Sequence, residues 1–264
     1  MIPPPDEPDS EPLISKSVIG HLLELRRRLL LWVATLLVLF LCLFPFQNRV
    51  FDFIAMPMIR RLPSGSSMIA TSVTSPFMTP MKLTLMLALF LSVPVLLWHI
   101  WRFMSPALYK SERRMFFPLL VSSVILFYCG VAFAYFVLFP VAFAFLNSVA
   151  PAGVKIMTDI NAYLDFVLTI FFAFGLAFEV PIAIVLAVWG GFTTPGKLGK
   201  LRAYAVVGSF IVGMILSPPD VVSMTLLSVP IYLLYETGIL MARILVPGSK
   251  QVDEQRKQEQ GSSE

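Results

Sequence analysis

The sequence predicts an all-α polytopic membrane protein with six transmembrane helices, both termini in the cytoplasm, and short fifth and sixth helices. Composition is the first observation behind this fold class. The 264 residues are 57% hydrophobic and 14% charged, with a mean hydropathy of +0.81, which is far from the composition of a soluble domain. The second observation is a series of six apolar stretches, each near the ~20 residues that a helix needs to cross a ~30 Å hydrocarbon core.

The distribution of basic residues gives the third observation and predicts the orientation. An even number of spans puts both termini on one side, and 15 of the 20 Lys and Arg residues lie in the terminal and even-numbered connecting segments. The positive-inside rule makes those segments cytoplasmic. The predicted spans are 29–46, 77–98, 116–139, 163–189, 203–217 and 221–242, with N-terminal segment 1–28, connections 47–76, 99–115, 140–162, 190–202 and 218–220, and tail 243–264.

The segments outside the spans differ in character. Residues 1–12 lack a basic region and a small-residue cleavage site, so we expect no removable signal peptide. Residues 17–30 show helical periodicity and predict an amphipathic helix that leads into the first span. Apolar residues at helical spacing over 51–58 predict a second helix on the outer surface. The polar tail from residue 251 to the end predicts disorder.

The fifth span is short. Only 14 apolar residues separate Arg202 from Ser217, and at 1.5 Å per residue they reach about 21 Å. Glu236 interrupts the sixth span about 15 residues after Asp220. We therefore expect either that the bilayer thins locally or that water and headgroups enter from one side. The ordinary alternative is that tilted neighbouring helices and flanking polar residues accommodate the short hairpin.

Glu179 is the most informative single residue because it lies within the apolar run 166–192. A carboxylate there costs several kcal/mol by insertion estimates. Four explanations remain open: the carboxyl group is protonated, it meets a partner or water, it serves a bound substrate, or it is a structural contact between helices. Lys82 is the only cation predicted within a span, and the sequence leaves open whether the two residues lie at matching depths.

Two carboxylates lie among basic residues on the predicted cytoplasmic side, Glu24 in the amphipathic helix and Glu112 in the first cytoplasmic connection. One interpretation is local charge pairing, which contributes about 0–1 kcal/mol when exposed. The other is an acidic site for a basic ligand, in which each Arg–carboxylate contact contributes about 1.5–3 kcal/mol.

The sequence contains no motif that indicates an enzyme activity. His21 and His99 are the only histidines, and the hydrolase, metalloprotease and nucleotide-binding motifs are missing. Cys42 and Cys129 lie within predicted spans without metal-site spacing, so we expect them to be packing residues rather than members of a disulfide or metal site. The predicted orientation explains the basic pI, and nucleic-acid binding is not expected. The sequence therefore predicts no enzyme activity and no cofactor, and it leaves transport or recognition as the function.

Four motifs in order resemble the TatC family, the core receptor of the twin-arginine translocation system. They are His21 to Leu29, Trp101 to Arg113, Phe178-Glu179-Val180-Pro181, and Ser217-Pro218-Pro219-Asp220 followed by Tyr235-Glu236. The resemblance implies a multi-pass protein of the bacterial inner membrane. It would bind twin-arginine signal peptides of folded precursors, associate with TatA-type and TatB-type single-span proteins and with itself, and support export driven by the proton motive force.

The resemblance also implies roles for individual residues. Glu24 and Glu112 would receive the signal arginines, and Arg26, Phe103 and Pro106 belong to the same cytoplasmic surface. Glu179 would line an intramembrane face that the inserted signal peptide reaches. The residues implied to dock the partner proteins are Met214, Ser217 and Met224, although Met224 stands where the family often has Gln.

Two other functions compete with the resemblance. A proton-coupled solute transporter would also use Glu179, but such transporters usually contain internal repeats and helices broken at corresponding positions, which we do not find in the sequence. A purely structural membrane scaffold would explain the spans but not Glu24 and Glu112. Substrate uptake without partner proteins would favour the transporter, and a double neutralisation of Glu24 and Glu112 without effect would favour the scaffold.

Overall fold

The computed structural model describes residues 13–52, 67–104, 116–149, 157–217 and 220–246, and helices dominate these ranges. A short 3₁₀ turn, Phe44–Phe46, continues the first helix. The nine α-helices that we label are α1 Leu13–Leu43, α2 Ser75–Met104, α3 Phe116–Phe133, α4 Phe139–Val149, α5 Ile160–Ala177, α6 Val180–Trp189, α7 Pro195–Lys200, α8 Arg202–Leu216 and α9 Val221–Leu245.

Five helical stretches of the described chain are long and apolar enough to cross a membrane: Leu23–Asp52, Ser75–Phe103, Phe117–Ala142, Ile160–Trp189 and Val221–Leu245. Helix α8 is apolar but has only 15 residues, or about 22 Å. Helix α9 has 25 residues, so it is longer than the short sixth helix that the sequence predicts. Its apolar part alone is short, because Glu236 follows 15 residues after its start.

The predicted amphipathic segment and the first span form one continuous helix, α1. Pro and Gly are absent from the junction near Leu29, so nothing in the local sequence breaks the helix. Helical residues 47–52 follow the 3₁₀ turn. The rest of the predicted outer helix and the predicted disordered tail lie outside the described residues.

Two short strands, which the sequence analysis did not predict, join two connections. Strand β1, Ser67–Ile69, pairs in parallel with β2, Met157–Asp159. The Thr71 hydroxyl donates to Asp159, and Asp159 also caps α5 by accepting a 3.0 Å hydrogen bond from the backbone N–H of Asn161. We call this side of the helical bundle the strand end and the opposite side the terminal end.

The core forms chiefly where α3 packs on α5. Phe127 and Phe174 are almost fully buried. A Cβ on Gly130 would lie 2.4 Å from the carbonyl oxygen of Phe174, and one on Gly175 would lie 2.6 Å from the Phe127 ring. Only glycine allows these close approaches, which is the usual means of packing helices tightly in membranes.

Helix α3 continues into α4 through a π turn, Ala134–Leu138, in which the Phe139 N–H bonds to the carbonyl of Ala134. Pro140 follows directly and has no N–H for the helical ladder, so irregular pairing is expected there. The helix therefore extends to Val149, ten residues beyond the predicted third span. Phe139 packs against Phe171, with ring centroids 5.3 Å apart.

Both cysteines are exposed on the outside of the helical bundle. Neither Cys42 nor Cys129 therefore packs within the bundle, contrary to the expectation that they are packing residues. In a membrane span an apolar residue can equally face lipid, and hydropathy does not distinguish the two environments.

Candidate functional site

A groove of about 490 Å³ opens along the bundle, and we call it the Glu179 groove. Four parts of the chain contribute: α1, α2, α3, and the segment from α5 through α6 to Phe192. Its lining is almost entirely apolar, with few polar side chains. Residues that line it include Trp32, Leu89, Val93, Leu97, Ile100, Trp101, Ser123, Phe127, Leu176, Glu179, Ile182, Ala183, Leu186 and Phe192.

Glu179 lies at a break between α5 and α6. Pro181 follows in the first turn of α6, and because proline has no N–H it cannot continue the ladder of α5. The Glu179 N–H instead bonds to the carbonyl of Leu176 at 3.0 Å. The carboxylate thus lies at the N-terminus of α6, where the helix dipole favours negative charge.

The Glu179 carboxylate is only partly satisfied. Its Oε1 atom is buried and accepts no hydrogen bond from any residue that the structure describes. Ser123 lies beside it in the groove, and the Ser123 hydroxyl also accepts a 3.3 Å hydrogen bond from the Trp101 indole N–H. A buried polar atom without a partner is rare and indicates a site for water or a ligand.

Glu24 lies near the terminal end, on α1. Arg28 donates to it from both Nε, at 3.1 Å, and Nη2, and the Glu24 side chain is 42% exposed. Arg28 is also an electrostatic neighbour of His99 on α2. Helices α1 and α2 pack against each other, and Phe103 lies half-buried in the last turn of α2.

The predicted signal-peptide site is therefore described in part. Glu24 lies on α1 and Phe103 in the last turn of α2, two helices that pack together, and Arg26 is exposed on α1. Glu112 and Pro106 lie outside the described residues, so their positions relative to Glu24 stay predictions.

The predicted docking residues lie on the hairpin of α8 and α9. Met214 is 56% exposed on α8. Ser217 caps the end of α8 through a 3.0 Å hydrogen bond from its N–H to the Gly213 carbonyl, and its hydroxyl oxygen is buried without a partner among the described residues. Met224 is half-buried, and its carbonyl accepts a 2.7 Å hydrogen bond from Ser228.

Two ion pairs within or beside the apolar helices escaped the sequence analysis. Lys82 pairs with Asp165 at 2.9 Å. Lys82 is therefore not the partner of Glu179, which the sequence had left open. Arg202 forms a bidentate pair with Glu236, through Nε at 2.7 Å and Nη2 at 2.9 Å. Each pair joins residues far apart in sequence, and the only signal was that their charges interrupt apolar runs.

Comparisons with known proteins agree with this geometry. Residues 20–230 match the family model described as Sec-independent protein translocase protein (TatC). The Escherichia coli K12 protein of that name is 55% identical over 238 residues, covering 90% of each chain. The Haemophilus influenzae protein is 52% identical, covering 88% of this chain and 91% of its own. The Aquifex aeolicus protein is 35% identical, covering 88% and 97%.

A solved structure is also similar. A crystal structure of the twin-arginine translocase receptor TatC superposes with a TM-score of 0.77 at 36% sequence identity. It matches 85% of this chain and 98% of its own. The likeness therefore extends over nearly the whole of that receptor.

Proposed function

This chain belongs to the TatC family of Sec-independent protein translocase proteins, and we propose that it is the membrane receptor for twin-arginine signal peptides. As a translocase component it is a transport protein rather than an enzyme. It would work in the bacterial cytoplasmic membrane with both termini in the cytoplasm. TatA-type and TatB-type single-span proteins would be its partners, and the proton motive force would drive export of folded precursors.

One observation carries the proposal: the Glu179 groove reaches the same end of the bundle as Glu24. Ile100 and Trp101 line the groove together with Trp32, which follows Glu24 by eight residues on α1, and Phe103 lies in the last turn of α2, which packs against α1. A signal peptide could therefore place its arginines at Glu24 and Glu112 and its apolar segment in the groove. Guanidinium groups suit this site because they bind carboxylates bidentately, whereas Lys lacks the fork geometry.

Glu179 would complete the groove as a polar contact for the inserted segment. Its Oε1 atom has an unused acceptor position facing an apolar lining. One N–H or O–H donor from the peptide would satisfy it, and one such bond to a charged acceptor contributes about 1.5–3 kcal/mol. A purely apolar groove would provide no such positional preference.

The partner proteins would dock on the hairpin of α8 and α9. Met214 offers an exposed apolar side chain there, and Ser217 holds a hydroxyl oxygen without a described partner. Because α8 is only about 22 Å long, the bilayer beside it would thin. Met224 would contribute apolar packing in place of the amide common in the family.

The test is photocrosslinking in native membranes from a probe at Ile100, which lines the groove and is 44% exposed. Precursors carry either a paired-Arg or a paired-Lys signal. We expect crosslinks only with paired Arg, and about tenfold fewer with Glu24→Gln or Glu112→Gln. Asp52→Asn, an exposed carboxylate far along the chain from this site, is the matched control and should leave the yield unchanged.

Equal crosslinking of both signals in every variant would contradict the receptor role. A chain that accumulates a small solute without TatA-type or TatB-type proteins would instead support the transporter alternative.

A further inference from the structure

Lys82 and Asp165 form an ion pair that opens to the outside of the bundle. The Lys82 Nζ lies 3.0 Å from Oδ1 and 2.9 Å from Oδ2 of Asp165. The two side chains are 48% and 52% exposed. Charged residues in spanning helices usually face the protein interior, so an exposed pair in this position calls for an external ligand.

The pair borders a groove of about 430 Å³, which we call the Lys82 groove. Its apolar walls come from three helices, with Leu36 on α1, Leu85 and Leu89 on α2, and Leu168 on α5. Beyond the two charges, Thr169 is the remaining polar residue of the lining, and its hydroxyl is already bonded to the Asp165 carbonyl at 2.7 Å. The groove therefore combines one positive group, one negative group and an apolar channel.

The depth of the pair suits a lipid headgroup. Lys82 lies seven residues after the start of α2 and Asp165 five residues after the start of α5, which places both about 8–10 Å below the strand end of their helices. Long cationic side chains extend toward the membrane interface from such positions. The charges can thus meet headgroups while the apolar walls lie at acyl-chain depth.

We propose that the Lys82 groove binds a zwitterionic phospholipid whose headgroup carries a primary amine. Its phosphate would contact the Lys82 ammonium, its amine would donate to the Asp165 carboxylate, and one acyl chain would lie along Leu85, Leu89 and Leu168. This site shares Leu89 with the Glu179 groove but has its own charged residues, and it does not depend on the proposed receptor function.

The charge pattern selects this headgroup over others. Asp165 repels a headgroup that is only anionic, such as phosphatidylglycerol. A choline headgroup has a quaternary amine without an N–H, so it cannot donate a hydrogen bond to Asp165. Phosphatidylethanolamine has both a phosphate and a primary amine. In the complex, the phosphate, Lys82, Asp165 and the amine would form a series of four charges that alternate in sign.

The experiment measures lipid retention by native mass spectrometry. The full-length protein is equilibrated with equal amounts of phosphatidylethanolamine, phosphatidylcholine and phosphatidylglycerol. We expect about tenfold stronger retention of phosphatidylethanolamine than of either competitor. Asp165→Asn should remove the preference over phosphatidylglycerol, and Lys82→Met should weaken retention of phosphatidylethanolamine. Thr237→Ala is the matched control and should retain the preference, because Thr237 is exposed on α9 outside this groove and its hydroxyl makes the same kind of bond to a backbone carbonyl, that of Leu234 at 2.8 Å.

A second measurement leaves both charges intact. A photoreactive residue at Leu85 in native membranes should form adducts with phospholipid. Equal retention of the three lipids by the native protein would overturn the proposal, as would a preference that survives both Asp165→Asn and Lys82→Met. A protein adduct from residue 85 would also overturn it, because it would assign the groove to a partner helix.

Discussion

Glu179 and Glu236 both interrupt apolar helices, and their surroundings differ. Glu236 accepts a 2.9 Å hydrogen bond from Arg202 Nη2 and one of 2.8 Å from the Tyr232 hydroxyl, and Arg202 Nε lies 2.7 Å from its Oε1 atom. Glu179 has a buried Oε1 atom without a partner among the described residues and lies in an open groove. The Glu236 carboxylate joins α8 to α9, whereas the Glu179 carboxylate can still accept a hydrogen bond from a ligand. For these two carboxylates, unused hydrogen-bonding capacity is therefore what distinguishes a ligand site from a helix contact.

The largest effect is expected from filling the groove around Glu179. Ala183 lines it and is exposed, so Ala183→Trp should occupy the space without disturbing the core. Export of a twin-arginine precursor should fall more than about tenfold, equivalent to ~1.4 kcal/mol. Transport assays in membrane vesicles measure this. Cys129→Trp, on an exposed face outside the groove lining, should export normally, and an equal loss in both would show that bulk alone is responsible.

The second-largest effect is expected when Glu179 and Glu236 are each replaced by leucine and the two variants are compared. Glu236→Leu removes the counter-ion of Arg202 and the acceptor of the Tyr232 hydroxyl, so the midpoint of thermal unfolding should fall by a few degrees. Glu179→Leu removes a carboxylate whose Oε1 atom has no described partner, so the midpoint should stay or rise while export falls. Thermal unfolding in detergent measures both. Equal destabilisation by the two substitutions would mean that Glu179 has a structural role as well.

A smaller effect is expected at Tyr232. Tyr232→Phe removes one hydrogen bond to Glu236 and leaves the Arg202 pair intact. The unfolding midpoint should fall by less than with Glu236→Leu, and in a Glu236→Leu background the Tyr232 substitution should have no further effect. Additive losses in the double variant would show that the Tyr232 hydroxyl acts elsewhere.

The smallest effect on stability is expected at Arg28. Arg28→Met breaks an i, i+4 pair with Glu24 that contributes about 0.3–0.5 kcal/mol. The Glu24 carboxylate would then lose an internal competitor, so precursor affinity should rise slightly. Binding of a fluorescent signal peptide checks this, with Arg27→Met as control. Weaker binding in Arg28→Met would indicate that Arg28 orients Glu24 for its ligand.

The all-α multi-pass membrane fold and the family could be predicted from the sequence, and both are confirmed. Apolar stretches reveal membrane helices because hydropathy is a local property. The motifs around Glu24 and Glu179 indicated the TatC family because their order and spacing are read directly from the chain.

Other features depended on three-dimensional contacts. The pairing of Lys82 with Asp165 and of Arg202 with Glu236 joins residues 83 and 34 positions apart, and hydropathy does not show which charges meet. The break at Glu179 had a local signal in Pro181, which the sequence analysis did not use. The π turn had a comparable signal in Pro140. The strand pair at Ser67 had none, because three residues are too few to show alternation.

The π turn between α3 and α4 limits how the length of this helix can change. It contains one residue more than an α-helical turn, so the residues beyond it are rotated by about 100° relative to a regular helix. Phe139 contacts Phe171 in that rotated position. Deleting one residue within 134–138 would restore regular helical pairing and yet turn Phe139 away from its neighbour. The more regular helix would thus be the less compatible one, and length variation in this family should avoid this turn.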